Sequence, residues 1–241
     1  MSAGRSSPRE RAEALARLAE LTGREPRQPE LFLQALTHPS YANEHPQEMH
    51  NQRLEFLGDA ALGLVVAEEL YRRFPDKDEG DLTRMRAAVV CTPTLARVAR
   101  RLDLGRLLRL GQGEEGSGGR QRSSLLADAL EAVIGALMLE GGLETVRDFV
   151  FRHLSQEMEE AAAGSLVEDF KTFLQEEGQR RFRADPVYRV VGEEGPDHNK
   201  SFTVEVLIQG KVMGTGTGRS KKEAEQAAAE QAVARLQATA P

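Results

Sequence analysis

The chain has 241 residues, 40% of them apolar and 29% charged, which is the composition of a folded protein with room for two domains. Its single cysteine, Cys91, excludes a disulfide framework and a zinc site built from several cysteines. The sequence lacks an apolar run of about 18 residues, so we predict a cytoplasmic protein without a membrane partner. The net charge of −6 gives no sign of a polyanionic partner, and any nucleic-acid surface would have to be a local basic patch.

Apolar residues in the first two thirds of the chain recur at helical spacing. The strongest pattern lies in residues 51–74, where one stripe contains Leu54, Leu57, Ala61, Leu62, Val65 and Leu70. Weaker patterns predict helices over 81–90, 93–102, 123–139 and 143–160, with a glycine-rich surface loop over 111–119. The first domain, residues 9–160, is therefore predicted to be all-α.

The pattern changes near residue 161. Residues 161–165 carry no apolar periodicity and end in Gly164 and Ser165, which predicts a linker. The second domain, residues 166–237, begins with a helical pattern, and alternation then predicts strands over 188–191, 202–208 and 211–217. Ser220 and Glu223 are spaced as a capping box before a last alanine-rich helix. The order α-β-β-β-α predicts an α+β domain in which two helices cover one face of an antiparallel sheet, and the whole chain is predicted to be multidomain.

Two pairs of carboxylates lie inside apolar helical patterns. Glu55 and Asp59 are four residues apart, Gln52 lies three before Glu55, and all three share one helix face. Asp128 and Glu131 are three residues apart in a run that is otherwise almost entirely apolar. Carboxylates at such positions repel each other and lose hydration, and a divalent cation such as Mg²⁺ would offset both penalties. Periodicity alone leaves a second interpretation open, in which these acids are solvated or pair with arginines.

A basic cluster marks the start of the last predicted helix. Arg219, Lys221 and Lys222 stand where side-chain cations and free backbone N–H groups can both face phosphates. A short cluster of this kind is more often an ordinary solvated face. By itself it does not establish nucleic-acid binding.

Several longer motifs resemble those of one family. The run NQRLEFLGDAALG, residues 51–63, closely resembles the ribonuclease III signature, and LLADALEAVIGAL, residues 125–137, resembles the second acidic motif of that family. ALTHPSY and FPDKDEGDLTRMRA resemble two further family segments, and the C-terminal domain resembles a double-stranded-RNA-binding domain. The motifs follow in the family's order, so the chain is similar to bacterial ribonuclease III over nearly its whole length.

This resemblance implies an endonuclease that cleaves double-stranded RNA with Mg²⁺, for which Mn²⁺ can substitute. The family's metal-binding acids fall on Glu55, Asp59, Asp128 and Glu131, and the implied catalytic residues are Asp59 and Glu131. The implied products carry 5′-phosphate and 3′-hydroxyl ends with a short 3′ overhang. Processing of ribosomal and other precursor RNAs is the family expectation.

The resemblance also assigns roles to three neighbouring positions. Phe56 matches an aromatic residue that joins two nuclease domains, which implies a homodimer, whereas the apolar pattern alone favours ordinary core. Gln52 stands where many bacterial members have Glu, an acid that acts outside the central cluster together with one matching Glu79. Because Gln52 supplies no charge, we expect weaker metal or RNA coupling there without loss of cleavage.

The C-terminal motifs imply the RNA contacts. KTFLQE, residues 171–176, resembles the first-helix motif of double-stranded-RNA-binding domains, and GPDHNKSF, residues 195–202, resembles their first loop between strands. In the family these segments touch two successive minor grooves, while the lysine cluster spans the phosphates between them. The implied contacts are Gln175, Glu176 and His198 together with Arg219, Lys221 and Lys222.

Two other functions stay open at this point. A non-catalytic double-stranded-RNA-binding protein would use a degenerate nuclease fold for dimerisation, although the intact set of four acids favours an enzyme. A metal phosphohydrolase for small substrates would leave the second domain unexplained. The loop at 111–119 lacks the Lys-Ser/Thr ending of a P-loop, so no nucleotide cofactor is predicted.

Overall fold

The computed structural model describes residues 8–163, 170–194 and 200–238. Contacts along the chain divide it into two compact units, Met1–Leu166 and Val167–Pro241. Within the described ranges, no helix combines the length and the apolar character needed to cross a bilayer.

The described part of the first unit is helical. Its helices are α1 (Pro8–Thr22), α2 (Pro29–Ala35), α3 (Pro39–Glu44), α4 (Gln52–Arg73), α5 (Glu79–Val90), α6 (Thr92–Arg101), α7 (Gln112–Gly116) and α8 (Ser123–Ala162). Helices α4 and α8 pack against each other at the centre, and α5 and α6 both contact α8. Fully buried residues such as Leu62, Val65, Leu130 and Ile134 form the core between them. The prediction of an all-α first domain is confirmed.

Three local features of this unit differ from the prediction. The segment 111–119 contains the short helix α7 instead of an entirely irregular loop. The two helices predicted over 123–139 and 143–160 form α8, which is interrupted where Gly142 adopts φ 72° and ψ −170°. Only glycine adopts that conformation readily, which explains the position of the break. Ala161 and Ala162 continue α8 into the segment predicted as a linker, because alanine strongly favours helix.

The second unit has the order α-β-β-β-α. It contains α9 (Phe170–Glu177), β1 (Val187–Glu194), β2 (Ser201–Ile208), β3 (Lys211–Gly218) and α10 (Lys221–Ala238). The strands form one antiparallel sheet in the order β1-β2-β3, so the predicted α+β class is confirmed. Val204, Val206 and Ile208 are buried as their alternation predicts, whereas Phe202 is only partly buried.

Small residues bring α10 very close to β3. A Cβ atom on Gly214 would lie 2.3 Å from the carbonyl oxygen of Ala228, and one on Gly216 would lie 2.2 Å from the backbone nitrogen of Ala228. Every second residue of β3 faces α10, so glycines at these positions let the helix rest directly on the strand. The alternation of glycine with Thr215 and Thr217 therefore reflects a packed face and an outer face.

Candidate active site and RNA-binding surface

Helices α4 and α8 cross with their backbones in contact. A Cβ atom on Gly58 of α4 would lie 1.8 Å from the carbonyl oxygen of Glu131 on α8. Reciprocally, a Cβ atom on Gly135 of α8 would lie 2.1 Å from the carbonyl oxygen of Leu54 on α4. Because both clashes would be with backbone, neither glycine can be replaced without separating the helices. The acidic side chains one helical turn before each glycine therefore meet between the two helices.

Three predicted metal ligands converge at this crossing. Glu55, Asp128 and Glu131 each offer one carboxylate oxygen, and these oxygens all lie within 4.8 Å of one another. All three residues are partly buried. Asp59, one turn after Glu55, is exposed and lies outside this close group, yet its charge raises the pKa of both Glu55 and Glu131. The structure thus brings three of the four acids together and places the fourth at the margin.

The electrostatics of the cluster are unfavourable in the absence of a cation. Burial raises the pKa of Glu131 to about 9, and the neighbouring charges of Asp128, Asp59 and Glu55 act in the same direction. Burial likewise raises the pKa of Glu55, with Asp59 adding to the effect. Within the described residues, no ion pair joins Glu55, Asp59 or Glu131 to an arginine. For Glu55 and Glu131, the arrangement therefore favours a cation site over solvated or arginine-paired acids.

The donor set fits a small divalent cation. Carboxylate oxygens are the ligands that Mg²⁺ and Mn²⁺ accept, and Mg²⁺ completes its shell with several waters. A bound cation would neutralise the mutual repulsion of the three carboxylates and offset the cost of burying them. Glu55, Asp128 and Glu131 are the residues placed to hold it.

The two auxiliary positions lie at the first residues of α4 and α5. Gln52 is exposed at the first residue of α4, on the helix face that also carries Glu55 and Asp59. Glu79 begins α5 and is exposed, and its Oε1 accepts a hydrogen bond of 3.0 Å from the hydroxyl of Thr83.

Phe56 is not a core residue. Its side chain is 80% exposed, and two further large apolar residues of α4, Leu64 and Tyr71, are 56% and 73% exposed. Their spacing of eight and seven residues puts all three on one face of the helix. The interpretation of Phe56 as ordinary core is therefore wrong, and α4 carries an exposed apolar face.

The start of α10 carries the predicted basic cluster. The hydroxyl of Ser220 accepts a hydrogen bond of 3.1 Å from the backbone N–H of Glu223. The Glu223 carboxylate accepts a hydrogen bond of 2.8 Å from the backbone N–H of Arg219. In the usual capping box it would accept from the N–H of the capping residue itself, here Ser220. Arg219, Lys221 and Lys222 remain exposed around this helix start.

The other predicted RNA contacts lie on α9 and beyond the described residues. Gln175 is exposed on α9, and Glu176 beside it is partly buried. Helix α9 packs against α10, so both helices belong to one layer of the unit. His198 lies outside the described residues.

These features define a class of two-domain protein, in which a helical unit with a carboxylate cluster precedes an α-β-β-β-α unit with an exposed basic helix start. Residues 28–158 match the family described as Ribonuclease-III-like, and residues 170–236 match the double-stranded RNA binding motif. Ribonuclease 3 of Symbiobacterium thermophilum is 55% identical over 215 residues, which cover 89% of this chain and 91% of that protein. Ribonuclease 3 of Desulforamulus reducens is 54% identical over 211 residues, covering 87% and 86% of the two chains. The chain belongs to the ribonuclease III family, and the prediction of a ribonuclease is confirmed.

Solved structures agree with this placement of the first unit. Two structures of the nuclease domain of ribonuclease III from Campylobacter jejuni are 39% identical to this chain, with TM-scores of 0.56 and 0.55. Each covers 59% of this chain, and the matches span 97% and 94% of those domains. One of them is described as showing structural flexibility in the region involved in dimer formation.

The apolar periodicity of the sequence does not predict that Gly58 and Gly135 meet at the helix crossing. The available signal was a glycine inside each acidic helical motif, because glycine within a helix usually has a packing or functional reason.

We predict that Gly58→Ala destabilises the chain by about 1–3 kcal/mol or more, since its Cβ would meet the backbone of α8 and not a movable side chain. Urea unfolding followed by circular dichroism measures the change. Gly113→Ala is the matched control, because a Cβ at that position of α7 meets nothing within 4 Å. It should leave stability unchanged or raise it by up to about 1 kcal/mol. Equal stability of the Gly58 variant and the wild type would contradict the close crossing.

Proposed function

We propose that this chain is a Mg²⁺-dependent endoribonuclease that cleaves double-stranded RNA. The observation that carries the proposal is the convergence of Glu55, Asp128 and Glu131 between two helices of a ribonuclease III family member. A non-catalytic RNA-binding protein would gain nothing from keeping these carboxylates together and partly buried. A hydrolase for small substrates would leave the RNA-binding motif at 170–236 without a role.

The residues of the cluster have different catalytic roles, which follow from their positions. Glu55, Asp128 and Glu131 hold the metal, and Glu131 is the ligand most closely tied to the chemical step. Asp59, exposed at the margin, helps to hold the metal and orients the attacking water. When bound, a divalent cation lowers the pKa of water and stabilises negative charge on the attacked phosphate and the departing oxygen. Departure of the 3′ oxygen leaves a 3′-hydroxyl on one fragment and a 5′-phosphate on the other.

The second unit holds the substrate. Exposed cations at the start of α10, Arg219, Lys221 and Lys222, face phosphates that also accept hydrogen bonds from free backbone N–H groups. Gln175 and Glu176 on α9 contact an adjacent minor groove. Domains of this kind span about 16 base pairs and recognise A-form shape more than sequence. The minor-groove role of His198 stays a prediction.

The exposed apolar face of α4 supports the proposal that this chain forms a homodimer. Phe56, Leu64 and Tyr71 would lose their exposed surface on association, and burial of apolar area favours it. The Campylobacter jejuni nuclease domain has a region described as involved in dimer formation. Two joined nuclease units would bring one carboxylate cluster to each strand of a duplex and leave a short 3′ overhang. Ribosomal and other precursor RNAs are the proposed substrates of this cytoplasmic enzyme.

We predict that Glu131→Gln lowers the cleavage rate of duplex RNA by roughly a thousandfold, because a metal ligand supports several kcal/mol of transition-state stabilisation. Gel assays of a labelled duplex with Mg²⁺ measure the rate. The variant should bind duplex RNA as the wild type does, because the contacts lie in the other unit. Gln52→Glu is the control, which adds charge outside the close group and should retain cleavage. Unchanged cleavage by Glu131→Gln would refute the assignment.

We predict that Phe56→Ala raises the dissociation constant of the dimer by about thirtyfold or more, the effect typical of a central aromatic residue in an interface. Sedimentation velocity over a concentration series measures the constant. Val187→Ala serves as control, because it truncates another exposed apolar side chain, on β1 of the second unit. A wild-type chain that sediments as a monomer at high concentration would rule out the dimer.

We predict that Lys222→Ala weakens binding to all duplex sequences alike and lowers the slope of log affinity against log salt by about 1. Fluorescence anisotropy with several duplexes at several salt concentrations tests both parts. The control is Lys211→Ala, which removes an exposed lysine from the start of β3 and should change neither quantity. A loss confined to particular sequences would argue against a phosphate contact.

A further inference from the structure

The first turn of α4 carries Glu55, and the residue that precedes the helix does not cap this turn with its side chain. Asn51 precedes the helix with φ −83° and ψ −15°, and its side chain makes no capping hydrogen bond. The Asn51 carbonyl accepts the backbone N–H of Glu55 at 2.9 Å. The N–H of Asn51 in turn donates to the carbonyl oxygen of Thr37 at 2.9 Å. Asn51, at the start of this turn, therefore depends on what holds Thr37, whereas the carbonyl of Leu54 in the same turn lies against Gly135.

Arg109 holds the Thr37 segment by backbone hydrogen bonds to the residues before and after Thr37, and by a hydrogen bond from its own side chain to Thr37. The N–H of Arg109 donates to the carbonyl of Leu36 at 2.8 Å, and the Arg109 carbonyl accepts the N–H of His38 at 3.1 Å. This pairing forms an isolated parallel bridge between Thr37 and Arg109. The Nη1 group of Arg109 also donates to the hydroxyl of Thr37 at 3.0 Å. Thr37 itself is fully buried.

The same guanidinium fixes the segment that leads into α4. Its two Nη groups donate to the two carboxylate oxygens of Glu48 at 3.0 and 2.9 Å, and Glu48 lies between α3 and α4. Nη2 also donates to the hydroxyl of Tyr41 at 3.2 Å, and Cζ lies 4.4 Å from the centre of the Tyr41 ring. Arg109 is only 7% exposed. Lysine could not replace these bonds, because it lacks the planar fork that pairs with a carboxylate through two nitrogens.

We propose that Arg109 is a positioning residue for the carboxylate cluster. With Thr37 and Glu48 it sets the first turn of α4, and it thereby holds the Glu55 carboxylate opposite Asp128 and Glu131. It acts through the hydrogen-bonded path from Arg109 to Thr37, Asn51 and Glu55, not by contact with metal or RNA. The inference rests on the proposed function, since metal binding is the property that it controls.

A buried network of this kind also stabilises the fold, so stability alone does not distinguish positioning from support. The crossing is fixed independently, by the contacts of Gly58 with the backbone of Glu131 and of Gly135 with the carbonyl of Leu54. Loss of the Arg109 network should therefore displace Asn51 and, through its hydrogen bond, Glu55, while the crossing stays in place. The consequence specific to positioning is weaker metal binding by a chain that remains folded.

The experiment measures Mn²⁺ binding to the full chain without RNA, from the electron paramagnetic resonance signal of free Mn²⁺. Arg109→Lys and the milder Thr37→Val, which removes only the hydroxyl, should each raise the Mn²⁺ dissociation constant by about two- to thirtyfold. Glu157→Gln is the matched control. Glu157 is another buried carboxylate, and it lies on the half of α8 beyond Gly142. It accepts a 2.8 Å hydrogen bond from Arg101 of α6. The control variant should bind Mn²⁺ as the wild type does.

Each outcome decides between the explanations. Wild-type Mn²⁺ affinity in folded Arg109→Lys and Thr37→Val overturns the inference, even if both variants melt at lower temperature. Equal weakening by Glu157→Gln also overturns it, because general destabilisation would then be the cause. If Arg109→Lys does not fold, Thr37→Val alone decides. If the wild-type chain does not bind Mn²⁺, or if Glu131→Gln binds it equally well, the proposed metal site itself is wrong.

Discussion

The contact between Gly58 and Gly135 is the constraint on which the rest of the first unit depends. It brings the backbones of α4 and α8 together, and this close approach places the carboxylates of Glu55 and Glu131, one turn away, near each other. Such a group of like charges is unfavourable when it is buried: burial first, and the neighbouring carboxylates second, raise the pKa of Glu131. The apolar faces of both helices offset that penalty, because about 25 cal/mol is gained for each Å² of apolar surface buried. Core packing thus sustains an arrangement of charges that would not form by itself.

The distribution of basic residues explains how a chain of net charge −6 can carry a surface for a polyanion. Outside the carboxylate cluster, some buried or partly buried carboxylates are paired with arginine, as in Arg109 with Glu48 and Arg101 with Glu157. The planar fork of arginine suits such pairs. Lys221 and Lys222 instead remain exposed at a helix start. Net charge therefore says little about nucleic-acid binding in this chain, because arginines such as Arg101 and Arg109 pair with carboxylates of the fold while Lys221 and Lys222 are exposed side by side.

Periodicity sufficed to predict the classes of both units, the main helices and the three strands, because these depend on neighbouring residues. It could not predict that Gly58 and Gly135 touch, since their contact joins segments far apart in the sequence. It also misjudged Phe56, because an apolar residue on a helix looks the same whether its face meets the core or solvent. The family resemblance predicted the four acids as metal ligands. Only the structure shows that three of them form a close group and that Asp59 lies at its margin.

Three faces of helix α4 have three different structural roles. One face, with Leu54 and Leu62, packs in the core, a second carries Glu55 and Asp59, and a third exposes Phe56 and Tyr71. A helix with an ordinary solvent face can shift by a fraction of an ångström at little cost. This helix cannot, because its crossing with α8 is set by backbone contact and its first turn is tied to Thr37. The rigidity that keeps the three carboxylates together therefore comes from residues outside that group.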